Sequence, residues 1–386
     1  MKNILLFALG FSILLFTSCN GDDDETPPKQ NPPAGYIVPD TYIFTDAEGN
    51  NTVNFSGQTD RLDQLAEITS LMKSANTPGT AINAQNLKDM FANVGENGNG
   101  NFSFSSTKQL RNKCASQYSN AEEVRLEFEA MMDNLAAISQ TTVAGEANGS
   151  NGVAGIVQTA DGGPYLMNAN GQEYNQLITK GLMGAVFYHQ MTGYYLTDEK
   201  IGDAVDNSTP TDPGAGKYYT AMEHHWDEAF GYFTDAVGFP TEGTDRFWGE
   251  YSNTVDPQLG SNKKLMDAFL TGRAAISHDD MVTKNQQRDI ILHEMERVVA
   301  AAAIHYMNKA KDAFANDAKR NHYLSEGTGF INSLRYKPNA TITPIEINSI
   351  QADLGDNFYE VTVAKILSVR DQLSDKFGMN DIKNDL

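Results

Sequence analysis

Residues 286–315 read QQRDIILHEMERVVAAAAIHYMNKAKDAFA, a stretch without glycine or proline that is long enough for eight helical turns. Its middle, Val298 to Met307, is apolar on every face of a helix. A helix that is apolar all round is typically buried on all sides. The stretch therefore predicts a long helix at the centre of a helical fold.

The flanking segments repeat apolar residues at spacings of three and four, the pattern of amphipathic helices. Segments with this pattern lie at 61–75, 82–94, 120–140, 173–196, 217–237, 262–277, 326–336 and 358–377. Alternation around Glu48-Gly49-Asn50, and again around Asp161-Gly162, predicts two small β-hairpins. We expect an all-α domain over residues 40–386, built as two packed helical bundles that share the long helix, with small hairpins added.

The 386-residue chain carries 50 acidic and 29 basic residues, a formal net charge of -21. Nucleic acids and anionic membrane faces attract clustered positive charge. We therefore expect no nucleic-acid partner, whereas cationic ligands remain compatible with this composition.

The first 18 residues, MKNILLFALGFSILLFTS, have a lysine followed by an apolar run from Ile4 to Phe16. This is typical of a cleaved signal peptide, since the run is shorter than the roughly 20 residues that span a bilayer. Phe16-Thr17-Ser18-Cys19 resembles the lipobox of bacterial lipoproteins. The resemblance implies cleavage before Cys19 and lipid attachment to its sulfur, so the membrane becomes a partner through that lipid.

Residues 19–39 follow as an acidic and proline-rich stretch, with Asp22-Asp23-Asp24-Glu25 directly behind the cysteine. Proline-rich segments act as extended spacers, so this stretch is interpreted as a flexible tether. An acidic cluster at this position resembles the surface-export signal of Bacteroidetes lipoproteins. It implies a domain anchored in the outer membrane and exposed at the cell surface.

The segment MEHHWDEAFGYF, residues 222–233, contains the strongest candidate site. On a helix Met222, Trp226 and Ala229 form a buried stripe, and His225 and Glu228 lie beside it. Imidazole and carboxylate groups three residues apart can ligate iron or zinc from within a helical bundle. The alternative is that His225 simply packs beside Trp226.

Weaker metal-ligand candidates are His293 and Glu296 on the long helix, and Glu173 and His189 on the helix predicted over 173–196. Glu296 could equally belong to a solvated helix face. LHEMER is not a zinc-peptidase HExxH motif because Arg297 stands at the position of the second histidine. The sequence contains no complete catalytic set, so we expect a binding protein rather than an enzyme.

Together with the lipobox and tether, the segments NFSGQTDRL, EYNQLITKGLMGA and MEHHWDEAFGYF resemble uncharacterised Bacteroidetes lipoproteins related to the imelysins. The resemblance implies two related bundles and a G-x-H-x-x-E metal signature, often linked to iron uptake. His225 and Glu228 match its histidine and glutamate, whereas Glu223 stands at the glycine position.

Three functions follow as hypotheses. The first is a surface lipoprotein that binds iron or an iron compound and passes it to an outer-membrane transporter. The second is a metallopeptidase of the imelysin type that uses the same residues. The third is a metal-free lipoprotein that binds a glycan or a protein.

Overall fold

The computed structural model describes residues 35–241 and 246–386, and residues 35–386 form one compact unit. The lipidation candidate Cys19 and most of the tether lie outside the described residues. The α-helices are α1 (Ser56–Ser74), α2 (Ala84–Phe91), α3 (Ala121–Ser139), α4 (Tyr174–Leu182), α5 (Asp198–Ile201), α6 (Ala221–Phe233), α7 (Trp248–Leu259), α8 (Ser261–Ser277), α9 (Met281–Asp312), α10 (Asp317–Ser333), α11 (Pro344–Leu354) and α12 (Val363–Lys376). The predicted helical fold is confirmed.

The long helix α9 is central, as its sequence predicts. Every residue from Val298 to Ile304 is buried, and α7, α8, α10 and α12 all pack against the helix. Asp280 caps its start, because its Oδ1 accepts a hydrogen bond from the Thr283 N–H at 3.0 Å. α9 is therefore the scaffold on which the other helices are arranged.

The second predicted hairpin is confirmed, and the first is reduced to a single bridge. Strands β1 (Gly155–Thr159) and β2 (Gly162–Met167) pair antiparallel. In the first segment only Thr45 and Asn51 form a β-bridge. Asp46 Oδ1 accepts the backbone N–H groups of Glu48 and Asn50, at 3.0 and 2.7 Å. Further from the turn, the Tyr42 N–H donates to the Val237 carbonyl oxygen and the Asn54 N–H donates to Asp227 Oδ2, so these amides are not available for strand pairing.

Helices α7 and α11, and the single-turn helix α5, have no counterpart among the predicted segments. α7 contains Pro257, and α11 begins at Pro344. Proline is tolerated in the first helical turn, where the missing N–H has no intrahelical partner, but it breaks an interior ladder. Because of these prolines, the apolar periodicity of the sequence did not predict α7 and α11.

Candidate functional site

Helix α6 carries the candidate residues, and its first turn is fixed by a capping box. The Thr220 hydroxyl accepts the Glu223 N–H at 3.2 Å, and Glu223 Oε2 accepts the Thr220 N–H at 2.9 Å. Such reciprocal bonds satisfy two amides that a helix start leaves unpaired. Glu223, at the glycine position of the resembled signature, thus has a structural role here.

His225 is half-buried and its ring orientation is fixed by helix α5. Its Nδ1 lies 2.6 Å from the carbonyl oxygen of Lys200. A carbonyl can only accept, so Nδ1 carries a proton, and in the neutral tautomer that this contact selects the lone pair lies on Nε2. This arrangement, in which the second ring nitrogen binds a carbonyl, is typical of metal-ligating histidines.

Glu228 lies between Gln58 of α1 and Tyr195, which follows α4 in the chain. Its Oε1 accepts hydrogen bonds from Gln58 Nε2 and from the Tyr195 hydroxyl, both at 3.0 Å. Its Oε2 lies 3.9 Å from Nε2 of His224, one helical turn earlier. His225 also borders Tyr195, with ring centroids 6.2 Å apart. Glu228 therefore lies beside His224, and the His225 ring lies beside Tyr195, which also contacts Glu228.

His224 is only partly exposed, because its ring stacks on Tyr219 at 4.5 Å. Its Nδ1 lies 2.9 Å from the carbonyl oxygen of Asn54, which leaves the lone pair on Nε2. Burial lowers the pKa of His224, against the opposing effect of Glu228. The imidazole is thus neutral at pH 7 and faces the carboxylate as a lone-pair donor.

Four cations, Arg61, Lys108, Lys113 and Lys200, lie in the neighbourhood of this carboxylate. Arg61 is buried and donates to the carbonyl oxygens of Gln109 and Gly57, at 3.1 and 2.9 Å. Lys108 lies over the first turn of α1, since a Cβ at Gly57 would meet its Cε at 2.7 Å. In the described part of the chain, no carboxylate lies within ion-pair distance of Arg61 or Lys108.

The other two cations, Lys113 and Lys200, lie beside the ring of Tyr194. Lys113 Nζ lies 5.3 Å from the Tyr194 ring centroid, and Lys200 Nζ lies 4.5 Å from it. Burial lowers the pKa of Lys113, and the nearby charges of Arg61, Lys108 and Lys200 lower it further, whereas Glu228 raises it. Lys113 likewise has no ion-pair partner among the described residues. We call Gln58, Tyr194, Tyr195, His224, His225, Glu228 and these four cations the Glu228 site.

The backbone that presents the two tyrosines is unusual. After α4 the chain continues as π-helical turns at Met183–Tyr188 and Met191–Tyr195. π-Helical turns are rare and occur frequently at functional sites. The wider turn places Tyr194 under the two lysines and lets Tyr195 reach Glu228. Periodicity analysis assumes 3.6 residues per turn and does not detect this change.

The structure does not bring His293 and Glu296 together. The His293 side chain is 67% exposed, with Glu294 Oε1 at 4.0 Å from its Nε2. Glu296 is buried, and it accepts hydrogen bonds from Lys337 Nζ at 2.9 Å and from the Thr341 N–H at 2.6 Å. The Glu296 carboxylate thus binds the segment that contains Lys337 and Thr341, which precedes α11, to helix α9.

Glu173 and His189 are also apart. His189 is buried, its Nδ1 lies 3.3 Å from the Tyr336 carbonyl oxygen, and burial lowers its pKa to about 4. Glu173 is buried and its Oε2 lies 2.6 Å from Nδ1 of His322. The π-helical turns between them rotate His189 into a different part of the core.

A buried ionic network continues from Glu173 through residues that the sequence analysis missed. His322 Nε2 lies 3.4 Å from Glu326 Oε2, and Lys180 Nζ lies 3.2 Å from Glu326 Oε1. Lys180 also donates to the Tyr251 hydroxyl. The sequence signal that could have revealed this network is the four-residue spacing of His322 and Glu326, which places both side chains on one face of α10. The network links α4, α7 and α10.

Within residues 35–241 and 246–386, no three His, Cys, Asp or Glu side chains are arranged to hold a metal ion together. Cys114, the second cysteine of the chain, is buried as a free thiol. None of the described helices combines the length and apolar character needed to cross a bilayer.

Comparison with known proteins gives one match. The model of a family described as Domain of unknown function (DUF4856) matches residues 39–380. No curated protein and no solved structure matches the chain significantly. The match covers the helical unit almost from end to end.

Proposed function

The chain belongs to the family Domain of unknown function (DUF4856), and we propose that its domain binds an anionic metal chelate at the Glu228 site. The model ligand is iron held by a polycarboxylate. The observation that carries the proposal is that Arg61, Lys108 and Lys113 lie near the site without carboxylate partners among the described residues, in a chain of net charge -21.

The cations favour an anionic ligand. A buried or half-buried charge without a counter-ion is unfavourable, and a bound anion removes that cost. Arg61 and Lys113 are such charges, and Lys108 is exposed nearby. Guanidinium and ammonium groups form their strongest hydrogen bonds with carboxylates and phosphates. A ligand with several carboxylates could pair with more than one of these cations.

The donors on α6 favour a ligand that contains a metal. His224 and His225 each bind a backbone carbonyl through Nδ1, so the lone pair of each neutral imidazole lies on Nε2. Imidazole nitrogen and carboxylate oxygen are ordinary ligands of iron and zinc. The resemblance of this segment to the imelysins, a family linked to iron uptake, supports the same assignment.

A chelate fits these features better than a bare ion. The positive charges of Lys113 and Arg61 repel an approaching metal cation. This repulsion is strong because water is partly excluded around them. No three-ligand group stands ready among the described residues. A chelator would supply both the remaining ligands and the negative charge. The same lack of three protein ligands disfavours a metallopeptidase, which needs them together with an open position.

The cellular setting remains part of the proposal. Lipid on Cys19 would hold the domain at the outer membrane, and the tether would extend it from the cell surface. An outer-membrane transporter that accepts the released chelate is the expected partner. The domain would then serve capture rather than catalysis.

The test is isothermal titration calorimetry on the mature chain with Cys19→Ser, purified without a metal-affinity tag. The three probes are ferric citrate, citrate alone and zinc chloride. We expect ferric citrate to bind more tightly than citrate, and Lys113→Gln to weaken it at least about tenfold, since a charge-assisted hydrogen bond contributes about 1.5–3 kcal/mol. Glu228→Gln is expected to reduce the difference in affinity between ferric citrate and citrate.

Lys263→Gln is the matched control, because Lys263 is 82% exposed and pairs only with Asp267 on its own helix. It should bind like the wild type. Zinc binding without ferric citrate binding would overturn the chelate proposal in favour of a bare-ion site. Binding of a neutral oligosaccharide in a separate titration, with no binding of the three probes, would favour the glycan hypothesis instead.

A further inference from the structure

A second cleft lies between α3, α4, α10 and α11, away from the residues of the Glu228 site. Its volume is about 250 Å³. The apolar part of its wall is formed by Phe128, Met131, Leu177, Leu354 and Phe358. A cleft of this kind with a few convergent polar groups is the usual form of a small-molecule site.

Two buried polar atoms in this wall have no partner. Thr328 Oγ1 and Gln351 Nε2 are both shielded from solvent and make no hydrogen bond within the described residues. Buried polar groups in native proteins are almost always paired with protein, water or ligand. The cleft therefore offers one hydroxyl and one amide donor to whatever occupies it.

Arg335 supplies a cation to the same cleft. Its Nε donates to the Asn332 carbonyl oxygen at 3.2 Å, and its Nη2 donates to Asn332 Oδ1 at 2.7 Å and Asn348 Oδ1 at 3.3 Å. No carboxylate of the described residues forms an ion pair with it. The amide contacts orient the guanidinium but leave its charge unbalanced, which suits a ligand carboxylate.

The rim carries the complementary charge. Glu127 and Asp356 line the cleft and are exposed. Their carboxylates have no ion-pair partner in the described part of the chain. A ligand with an ammonium group and a carboxylate would thus meet opposite charges on the wall, and an apolar side chain would meet the apolar surface.

We propose that this cleft binds an apolar α-amino acid, with its carboxylate on Arg335, its ammonium near Glu127 and Asp356, and its side chain against Phe128 and Leu177. Thr328 and Gln351 complete the polar contacts. The site is independent of the Glu228 site, so either proposal can fail without the other.

The test is calorimetric titration of the mature chain with L-phenylalanine and L-leucine. Three matched compounds each lack one feature: N-acetyl-L-leucine lacks the ammonium, L-leucinamide lacks the carboxylate, and glycine lacks the apolar side chain. We expect each of the three to bind at least tenfold more weakly than L-leucine. Equal affinity for L-leucine and L-leucinamide, or no binding of either apolar amino acid, would overturn the proposal.

Variants separate binding from folding. Arg335→Gln is expected to reduce affinity at least tenfold and to leave ferric citrate binding unchanged. Arg288→Gln, which removes an ion pair with the exposed Asp198 outside the cleft, is the control and should retain amino-acid binding. Without ligand, Thr328→Val should melt at the wild-type temperature or above, because the replacement removes an unpaired buried hydroxyl. With L-phenylalanine, its melting temperature should increase by less than that of the wild type. An equal ligand-induced increase in the variant would contradict the assigned role of Thr328.

Discussion

Arg273 of α8 donates through Nε to Asp227 Oδ1 of α6 at 2.9 Å, and both side chains are completely buried. The same guanidinium donates to Glu223 Oε1 at 2.6 Å and to the Thr52 carbonyl oxygen at 2.9 Å. Asp227 in turn accepts the Tyr42 hydroxyl at 2.9 Å. This cluster fixes α6, and with it the Glu228 site, against α8 and the N-terminal segment.

Arg273→Gln is expected to lower the free energy of unfolding by about 3–5 kcal/mol, because it leaves two buried carboxylates without their cation. Burial raises the pKa of Asp227 to about 7 even with Arg273 present, so the variant's carboxylate should take up a proton in mild acid. The destabilisation should therefore be larger at pH 8 than at pH 5, as measured by urea unfolding. Arg288→Gln, whose partner Asp198 is 86% exposed, should cost no more than about 1 kcal/mol. An equal effect of the two replacements would contradict the role of the cluster.

Gly272→Ala should destabilise the protein by about 1–3 kcal/mol. A Cβ at Gly272 would overlap the indole ring of Trp226, which is fully buried and donates through Nε1 to the Phe269 carbonyl oxygen at 3.0 Å. Thermal unfolding measures the effect. Gly214→Ala is the control, because its nearest neighbour would be Asp212 Oδ1 at 3.6 Å, and it should change stability by less than about 0.5 kcal/mol. A wild-type melting temperature for Gly272→Ala would show that the indole can move.

The ion pair of His322 should make stability depend on pH. Burial opposes the imidazolium, but Glu173 and Glu326 together outweigh it and raise the pKa of His322 above its ordinary value of 6.5. The folded protein then binds the proton more tightly than the unfolded chain. The stabilisation is fully present below about pH 6.5 and is lost as the pH rises through the folded-state pKa.

Glu173→Gln should remove most of this contribution and move the NMR titration of the His322 ring to lower pH. The glutamine carboxamide is about as large as the glutamate carboxylate, but it has no negative charge to stabilise the imidazolium. Glu123→Gln, an exposed replacement on α3, should leave the titration where it is in the wild type. An unchanged His322 midpoint in Glu173→Gln would mean that Glu326 alone sets the pKa.

Cys19→Ser is expected to move the protein from the membrane fraction to the soluble fraction of the producing cells. Each buried methylene of an attached lipid contributes about 0.8 kcal/mol to membrane binding, and the serine hydroxyl does not replace the thiol in this modification. Metabolic labelling with an alkyne fatty acid should mark the wild type only. Membrane retention of the unlabelled variant would point to another anchor.

Sequence periodicity predicted most helices and the central position of α9, because burial on all faces requires an apolar residue at every position. The Val298–Met307 run meets that requirement with local information alone. α7 and α11 were missed because proline obscures the pattern. The first hairpin was overestimated because the Tyr42 and Asn54 amides bond to Val237 and Asp227, which are distant in the sequence, instead of pairing across the hairpin.

The chemistry of the site was predictable only in part. The sequence placed His225 and Glu228 on one helix, since spacing along a helix is a local property. The partners of each side chain, such as Lys200 for His225 and Gln58 and Tyr195 for Glu228, come from elements far apart in the chain. Which charges surround a carboxylate, and whether they are desolvated, depends on packing. The overall charge of -21 gave no sign of a local group of cations, because electrostatic environment is set by tertiary structure.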